Sequence, residues 1–412
     1  MSALRQNIEK EIGERGPIPF SRYMELCLYD PELGYYSRNA AQFGKAGDFY
    51  TASDVHAVFG RLLARQFEEM WRLLGSPKRI VVKELGPGRG LFAQDVLDWS
   101  EKKFPDFFRA MHYRLAEGSP ALRQRIEVTL SRHLEFGKAT LESKILSPDG
   151  QQTANRTTPS TALEPGSEQA SVLPNRAADA STLAPGIPLI VFANEFFDAL
   201  PVEVVSLNGS LRIDSRDGRF VETWAPPSPE ELEFLDRYSI HPEADERIEV
   251  PLQSQIHISA AASLDRGFVV VIDYGYTRQE QLAGRHRGTL KAIRQHSVSA
   301  NPYEAPGEQD ITSDVNFTAL AVAAERQGMH PQKLITQSQF LLGLGEANQF
   351  ADAFEECRWP QERAKVALQL KHLVTPAGMG ESFHVLVASK GIDQERASTL
   401  TGFGFGRKPE SV

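Results

Sequence analysis

Glu84 opens the strongest chemical signal in the chain, Glu84-Leu-Gly86-Pro-Gly88-Arg-Gly90. Glycines at alternate positions let a backbone pass close beneath a ligand, and a helix starting there would offer free N–H groups. A dinucleotide fingerprint, G-x-G-x-x-G, would put its third glycine at position 91, where the chain has Leu91. An acid two residues ahead of the first glycine does little for a pyrophosphate but favours a cationic ligand such as a sulfonium or an amino group. The alternative is an ordinary tight strand-to-helix turn. Glu117 ends the next apolar run, where a carboxylate can accept both hydroxyl hydrogens of an adenosine ribose. Alternatively it caps the helix that Ser119-Pro120 begins. Together the two positions describe an S-adenosylmethionine pocket better than an NAD pocket.

A second constellation is Asn194-Glu195-Phe196-Phe197-Asp198, directly after the apolar run Leu189 to Phe192. Ligands of open α/β sheets sit at the carboxyl ends of strands. Paired carboxylates there can neutralise and orient a guanidinium, whose five donors form a planar fork. They could equally position a nitrogen nucleophile for in-line displacement. The bland alternative has Asp198 capping a helix and both phenylalanines in the core. Asp273-Tyr274-Gly275-Tyr276 ends another strand and should border the same crevice. His296 could act as a general base near neutral pH, or be an ordinary hydrogen-bonded histidine. The ten histidines show no H-x-H or H-E-x-x-H spacing, so no metal site is expected.

These residues need strands that end together. Arg79 to Glu84, His112 to Glu117, Pro188 to Ala193 and Gly267 to Asp273 are short apolar runs separated by helical stretches. That alternation predicts an α/β fold with a mainly parallel sheet covered on both faces. Leu4, Ile8 and Ile12 predict a first helix, and Ser21 a cap for a second over Arg22 to Tyr29. Val55, Val58, Phe59, Leu62, Leu63, Phe67, Met70, Trp71 and Leu74 form one helical stripe, read as core. Late in the chain, helices are expected over Phe317 to Gln327 and Gln361 to His372. Strands Lys333 to Thr336 and Phe383 to Ala388 should close the sheet as an antiparallel edge pair.

The organisation this implies is a helical cap over residues 1–78 that contributes to the cofactor site. The first half of the sheet spans 79–145 and the second half 188–276. C-terminal helices and closing strands follow over 277–392, then a loosely ordered tail over 393–412. Between them, 146–187 is rich in Ser, Thr, Pro, Ala, Gln and Gly, and reads as a flexible insertion.

Lys plus Arg number 45 and Asp plus Glu 54, a net charge of −9, which argues against a nucleic-acid sleeve or an anionic-membrane binder. The two cysteines form no disulfide framework, which suits a reducing compartment. No apolar run approaches the ~20 residues of a membrane span. The first residues reach Glu9, Glu11 and Glu14 at once, unlike a signal or transit peptide. The expectation is a cytoplasmic, bacterial protein.

Several segments together resemble the MidA-like methyltransferases, whose best-known members are mitochondrial arginine methyltransferases of complex I assembly. They are Gly16-Pro-Ile-Pro-Phe-Ser-Arg-Tyr-Met-Glu25, Tyr29-Asp-Pro-Glu-Leu-Gly-Tyr-Tyr36 and Gly47-Asp-Phe-Tyr-Thr51. The glycine motif, Asn194-Glu-Phe-Phe-Asp-Ala-Leu-Pro201, Asp273-Tyr-Gly275 and Pro306-Gly-Glu-Gln-Asp-Ile-Thr312 continue the likeness, as do Asp314-Val-Asn-Phe317, Thr336-Gln337 and Met379-Gly-Glu381. The resemblance implies a Rossmann-like, seven-stranded methyltransferase sheet with an N-terminal helical cap, using S-adenosylmethionine. By motif, Glu84, Gly86, Gly88, Gly90 and Glu117 would hold the cofactor, and Gly47, Asp48, Phe49 and Thr51 would cover it. Asn194, Glu195 and Asp198 would face the acceptor. The implied reaction is protein arginine N-methylation, on a subunit of a complex I-type NADH dehydrogenase. A small-molecule methyltransferase and a non-catalytic assembly chaperone with a retained pocket are the competing readings.

Overall fold

Apolar runs as continuous as those at 189–194 and 267–276 can be buried only if both sides of each strand are covered. In the computed structural model, which describes residues 2–38, 57–143, 186–294, 297–299, 301–346 and 348–406, both sides are. The chain starts with a helix, Ala3–Arg15, strand β1 (Ile18–Pro19) and a second helix, Phe20–Tyr29. Ser21 is not the cap its position suggested. The helix already begins at Phe20, and the Ser21 hydroxyl donates to Glu203 instead.

After the Val58–Leu73 helix come β2 (Ile80–Leu85), β3 (Met111–Ala116), β4 (Ala139–Glu142) and β5 (Leu189–Asn194). The chain then leaves the sheet through β6 (Glu203–Ser206), β7 (Gly209–Arg216), β8 (Arg219–Ala225) and β9 (Ile248–Val250), and returns as β10 (Gly267–Tyr276). Next are β11 (Lys291–Arg294), β12 (Ser297–Ser299), β13 (Asp310–Thr312) and β14 (Val315–Asn316). The last are β15 (His330–Pro331), β16 (Ile335–Thr336) and β17 (Phe383–Lys390).

The central sheet runs β15-β17-β10-β5-β2-β3-β4, with β14 added on β10 and β16 on β17. Strands β4, β3, β2, β5 and β10 are mutually parallel, whereas β17 runs antiparallel to β10. The mainly parallel α/β sheet read from the sequence is therefore present, with its antiparallel edge; seven strands, the number the resemblance implied, lie on its main path, and β14 and β16 bring the total to nine. The expected strand at Lys333 to Thr336 shrinks to Ile335–Thr336, and His330–Pro331 pairs with β17 beside it. Alternate residues of each strand serve opposite cores. Val82, Ile190, Phe192, Val270 and Ile272 pack against the Val58–Leu73 and Leu91–Lys103 helices. Val81, Val191, Val269 and Val271 pack against Leu252–Ala262 and Phe317–Arg326. Phe92 stacks on Phe192 at 4.4 Å, so the helix after the glycine turn is pinned to the strand carrying the acid loop.

Two departures from the sequence reading concern organisation. The 188–276 stretch is not simply half of the central sheet. Within it, β6 to β9 join β1 in a separate five-stranded antiparallel sheet. Its inner residues Val204, Leu211 and Ile213 cluster with Leu4, Ile8, Phe20, Tyr23 and Met24, so this sheet is the platform on which the N-terminal helices sit. The signal for it was local: Asp217 (φ +50°) and Gly218 (φ +69°) form the two-residue hairpin turn that a D-G pair favours.

The second departure is the tail. Residues 393–406 are ordered, with a helix Gln394–Ser398 and a turn Thr401–Phe403. Thr401 donates its N–H and hydroxyl to Glu69, and the Gly402 N–H donates to Gln66 at 3.0 Å, tying the segment to the Val58–Leu73 helix. The insertion read at 146–187 falls almost entirely outside the described residues, as do Val55 and residues 407–412. Among the described residues, no helix is long and apolar enough to cross a membrane.

Leu400 is fully buried in the main core. Leu400→Ala should cost about 2–5 kcal/mol, the range for deleting a buried leucine side chain. Urea unfolding checks it, and an unchanged midpoint would mean the segment is loose.

Candidate active site

The glycine turn is strained in a way only glycine tolerates. Gly86, Gly88 and Gly90 have φ of +62°, +55° and +77°. At Gly86 a Cβ would also meet the Phe196 ring at 2.8 Å, so this glycine lets the acid loop pack directly on the turn. Gly90 caps the Leu91–Lys103 helix. Beside the turn lies a cavity of about 270 Å³ at the carboxyl ends of β2, β3 and β5.

Gly86, Gly88 and Glu117 line one part of this cavity, Glu195 and Asp198 another, and Tyr29, Tyr36 and Asp310 a third. Four carboxylates thus share the wall, and among the described lining residues there is no lysine, arginine or histidine.

Each carboxylate is held differently. Glu117 is buried and accepts the Ser119 N–H at 2.8 Å, so it both fixes the start of the Pro120–Thr129 helix and faces the cavity. Burial pushes its carboxyl up to about 7, against the pull of the Ser119 and Gly88 N–H groups. Glu195 has a left-handed backbone, φ +49°, and accepts the Asn194 side-chain amide at 3.1 Å. Asp198 is buried; one oxygen accepts the Tyr274 hydroxyl, and the other, Oδ1, has no hydrogen-bond partner among the described residues. Burial pushes the Asp198 carboxyl up to about 6, with the Tyr274 hydroxyl acting the other way. No helix follows Asp198; residues 195–200 form a turn, so the capping alternative does not apply.

That turn is gathered by one side chain. Oδ2 of Asp273 accepts the backbone N–H groups of Phe196 at 3.2 Å, Phe197 at 3.0 Å and Asp198 at 3.4 Å, while Oδ1 accepts that of Tyr274 at 2.9 Å. Asp273 is fully buried; burial and the nearby Asp198 and Glu195 carboxylates push its pKa up.

The family model described as "Putative S-adenosyl-L-methionine-dependent methyltransferase" matches residues 62–335. The chain belongs to this family. Its cofactor is S-adenosylmethionine. The methyltransferase is 28% identical to the mitochondrial protein arginine methyltransferase NDUFAF7 homolog of Drosophila melanogaster, over 95% of this chain and 85% of that one. It is 24% identical to human mitochondrial NDUFAF7, over 93% of this chain and 82% of that one. A Burkholderia thailandensis crystal structure with S-adenosyl-homocysteine bound superposes with a TM-score of 0.75 at 26% identity, over 100% of this chain and 96% of the other.

The wall chemistry of the methyltransferase fits such a cofactor: its sulfonium and ammonium are cations, its ribose needs hydroxyl acceptors, and the lining supplies acids. Gly86, Gly88 and Glu117, named from the sequence, are on the wall and could hold it. Glu84 and Gly90 are not on the wall. The Glu84 carboxylate is buried and accepts the Tyr113 hydroxyl at 2.8 Å, and Gly90 packs against Ile126 and Leu130. Glu195 and Asp198 are on the wall, and Asn194 is not; its amide orients Glu195 instead. Gly47, Asp48, Phe49, Thr51 and His296 lie outside the described residues.

Sequence reasoning gave no role to Tyr29, Tyr36, Ser119 or Asp310. Tyr36 donates to Asp310 Oδ1 at 2.9 Å, Tyr29 donates to the Ala199 carbonyl at 2.9 Å, and the Ser119 hydroxyl donates to the Tyr36 carbonyl at 2.6 Å. The only hint was that Tyr29 to Tyr36 and Pro306 to Thr312 both carry family-like motifs; nothing in either segment says that they meet.

Burial pushes the Glu84 carboxyl up to about 8, the Tyr113 hydroxyl opposing and Glu117 reinforcing the shift. An unfolded glutamate ionises near about 4.3, so between about pH 5 and pH 8 the fold binds more protons than the unfolded chain and stability falls as pH rises. Glu84→Gln removes that contribution. Its melting temperature, compared with wild type, should gain steadily from about pH 5 to about pH 8; parallel curves would mean that Glu84 is ionised in the fold.

Proposed function

We propose that this methyltransferase transfers the methyl group to a guanidinium nitrogen of arginine in a protein acceptor. The observation that carries the reading is the cavity wall, with four carboxylates and no basic side chain among its described residues. A wall of this kind suits two cations at once, one on the cofactor and one on the acceptor. Glu195 and Asp198 supply carboxylate acceptors on one part of that wall, and a guanidinium supplies five donors. The relatives named as protein arginine methyltransferases support the same acceptor.

When bound, the cofactor supplies a methyl group on a positively charged sulfur. The chain's own residues do the positioning. In this reading Gly86 and Gly88 bring the backbone close to the cofactor, Glu117 accepts from its ribose, and Glu84 supports the turn from behind. Glu195 and Asp198 accept N–H bonds from the guanidinium, fix which nitrogen faces the methyl carbon, and one of them takes the proton that this nitrogen gives up as the methyl group arrives and S-adenosylhomocysteine leaves. Asn194 holds Glu195, and the Asp273 carboxylate holds the turn that carries both acids. Orientation of this kind contributes much of the rate in a displacement that needs no covalent intermediate. Following the family resemblance, the acceptor is a subunit of a complex I-type NADH dehydrogenase. The unpaired Cys27 and Cys357 agree with a reducing, cytoplasmic setting.

The test is to incubate the protein with methyl-labelled S-adenosylmethionine and a lysate lacking the endogenous enzyme, then hydrolyse and resolve the label by amino acid. Label should appear in methylarginines. Label only in metabolites would establish a small-molecule methyltransferase, and cofactor binding without transfer a non-catalytic chaperone. Glu195→Gln and Asp198→Asn should each lower arginine labelling by about tenfold or more, as expected for removing a charge-assisted partner. Rates within a few-fold of wild type for both would defeat the assignment.

The pH dependence follows from Asp198. Its free carboxyl, raised to about 6, is ionised at neutral pH and neutral below. Acceptor kcat/KM should therefore fall as pH drops below about 6, approaching tenfold per unit, because this ratio reports ionisations of the free enzyme. Asp198→Asn should lose that limb while keeping its lowered plateau.

A further inference from the structure

Asp198, the acid that gives the proposed reading its pH dependence, is held from behind the cavity wall. Tyr274 stands near the end of β10, does not line the cavity, and donates its hydroxyl to Asp198 Oδ2. Burial, and then the Asp198 and Asp273 carboxylates, push this phenol well above its ordinary value, so it stays a protonated donor. A hydrogen bond to a carboxylate favours the charged form, which opposes the burial that raises Asp198.

Tyr274 is itself gripped. Phe383 packs against its ring in a T-shaped pair at 5.6 Å, and Lys291 Nζ, from β11, lies over the ring 5.5 Å from its centre. A cation on the face of a phenol draws electron density from the ring and strengthens the hydroxyl as a donor. Asp314 fixes the lysine there. Lys291 Nζ donates to its Oδ1 at 3.1 Å, the His286 Nδ1 lies 2.8 Å from its Oδ2, and the Asp314 N–H donates to the Thr289 hydroxyl at 3.0 Å. One residue earlier, the Ser313 N–H donates to the Asp198 carbonyl at 3.0 Å. The pair Ser313-Asp314 thus holds the backbone of Asp198 and also the charge that sits on its hydrogen-bond partner. Asp198 is faced by Tyr274 and Asp273 from β10, by Asp314 from the link between β13 and β14, and by Tyr29 and Tyr36 from the N-terminal segment, with Glu195 in its own turn. Asp314 pushes Asp198 up, and a lysine bonded to Asp314 works against that push.

We infer that Tyr274 is the positioning residue for Asp198 in the acceptor site, and that Lys291, anchored by Asp314, holds the phenol to that task. This rests on the arginine reading above, in which Asp198 binds the guanidinium. The motifs Asp273-Tyr-Gly275 and Asp314-Val-Asn-Phe317 then share one role: the first brings the phenol to the acid, and the second brings the carboxylate that keeps a cation on the phenol.

The experiment uses the full chain, methyl-labelled S-adenosylmethionine and limiting lysate, so that methylarginine labelling follows kcat/KM, read from about pH 5 to about pH 8. The lysate is common to all variants, so its own ionisations cancel in the comparison. Tyr274→Phe should move the midpoint of the acid limb up by about one pH unit, the scale of a hydrogen bond to a charged group, with S-adenosylhomocysteine affinity by calorimetry within about threefold of wild type. Lys291→Met should move the midpoint the same way by less, and Lys291→Arg should restore it, because an arginine also places a cation on the ring. In an Asp198→Asn background, adding Tyr274→Phe should change labelling by less than about twofold, since the acid it serves is gone. A midpoint within about 0.3 unit of wild type in Tyr274→Phe overturns the inference. So does a loss of labelling in the Asp198→Asn background as large as that in wild type, the mark of a merely structural role. Should Tyr274→Phe not fold, an unmoved midpoint in Lys291→Met overturns it instead. If the wild type labels no arginine, or Asp198→Asn keeps the acid limb, the functional reading itself has failed and this inference falls with it, an outcome distinct from the others.

Discussion

One carboxylate at the end of β10 sets the shape of the site. Asp273 collects three consecutive backbone N–H groups from the turn after β5 and a fourth from its own neighbour. A turn with three N–H groups pointed at one oxygen has little freedom left. Glu195, just before it, adopts the left-handed conformation at φ +49°, a state that costs a non-glycine residue about 1–3 kcal/mol and persists only where its surroundings enforce it. The Glu195 N–H, bonded to the Ile272 carbonyl at 3.0 Å, anchors the other side of the same bend. With the bend fixed, Phe196 lies on Gly86 and the acid loop and glycine turn become one surface.

That surface and the residues behind it are electrostatically one-sided: Glu117 and Asp198 line the cavity, and Glu84 and Asp273 are buried beneath it. Glu84, Glu117, Asp198 and Asp273 are all buried, and burial raises the pKa of each. Concentrating acids in low-dielectric surroundings opposes folding, because each must give up hydration or keep its proton. A cation in the cavity relieves this cost, so the same groups that weaken the empty fold favour a positively charged ligand. The hydroxyls of Tyr113, Tyr274 and Tyr36 moderate the expense by donating to Glu84, Asp198 and Asp310.

The N-terminal helices reach this site by an indirect route. They pack on the antiparallel sheet whose strands β6 to β9 are inserted between β5 and β10 and whose fifth strand is β1. Because that insertion follows directly on the acid loop, the platform and the loop are joined by only a few residues. Tyr29 and Tyr36 are thereby delivered to the Ala199 carbonyl and Asp310, where both line the cavity.

How much of this was legible in the sequence follows from the range of the interactions involved. The α/β class, the parallel strands and the glycine turn are local consequences of apolar runs, helix periodicity and residues that tolerate positive φ, so they could be read directly. The places of Glu117, Glu195 and Asp198 on the cavity wall were legible too, because each ends or closely follows a strand, and the crevice of an open α/β sheet lies at strand ends. Glu84 faces inward and Asn194 is taken up by Glu195, since which way a strand-end side chain turns depends on partners such as Tyr113 that its own segment does not reveal. The antiparallel platform and the docked segment at 393–406 were missed because short strands and short helices are stabilised by what they pack on rather than by their own pattern. The pairing of Tyr36 with Asp310, 274 residues apart, belongs wholly to the tertiary structure. Composition and periodicity determine which elements form; only packing brings two distant segments close enough for a hydroxyl to choose its carboxylate.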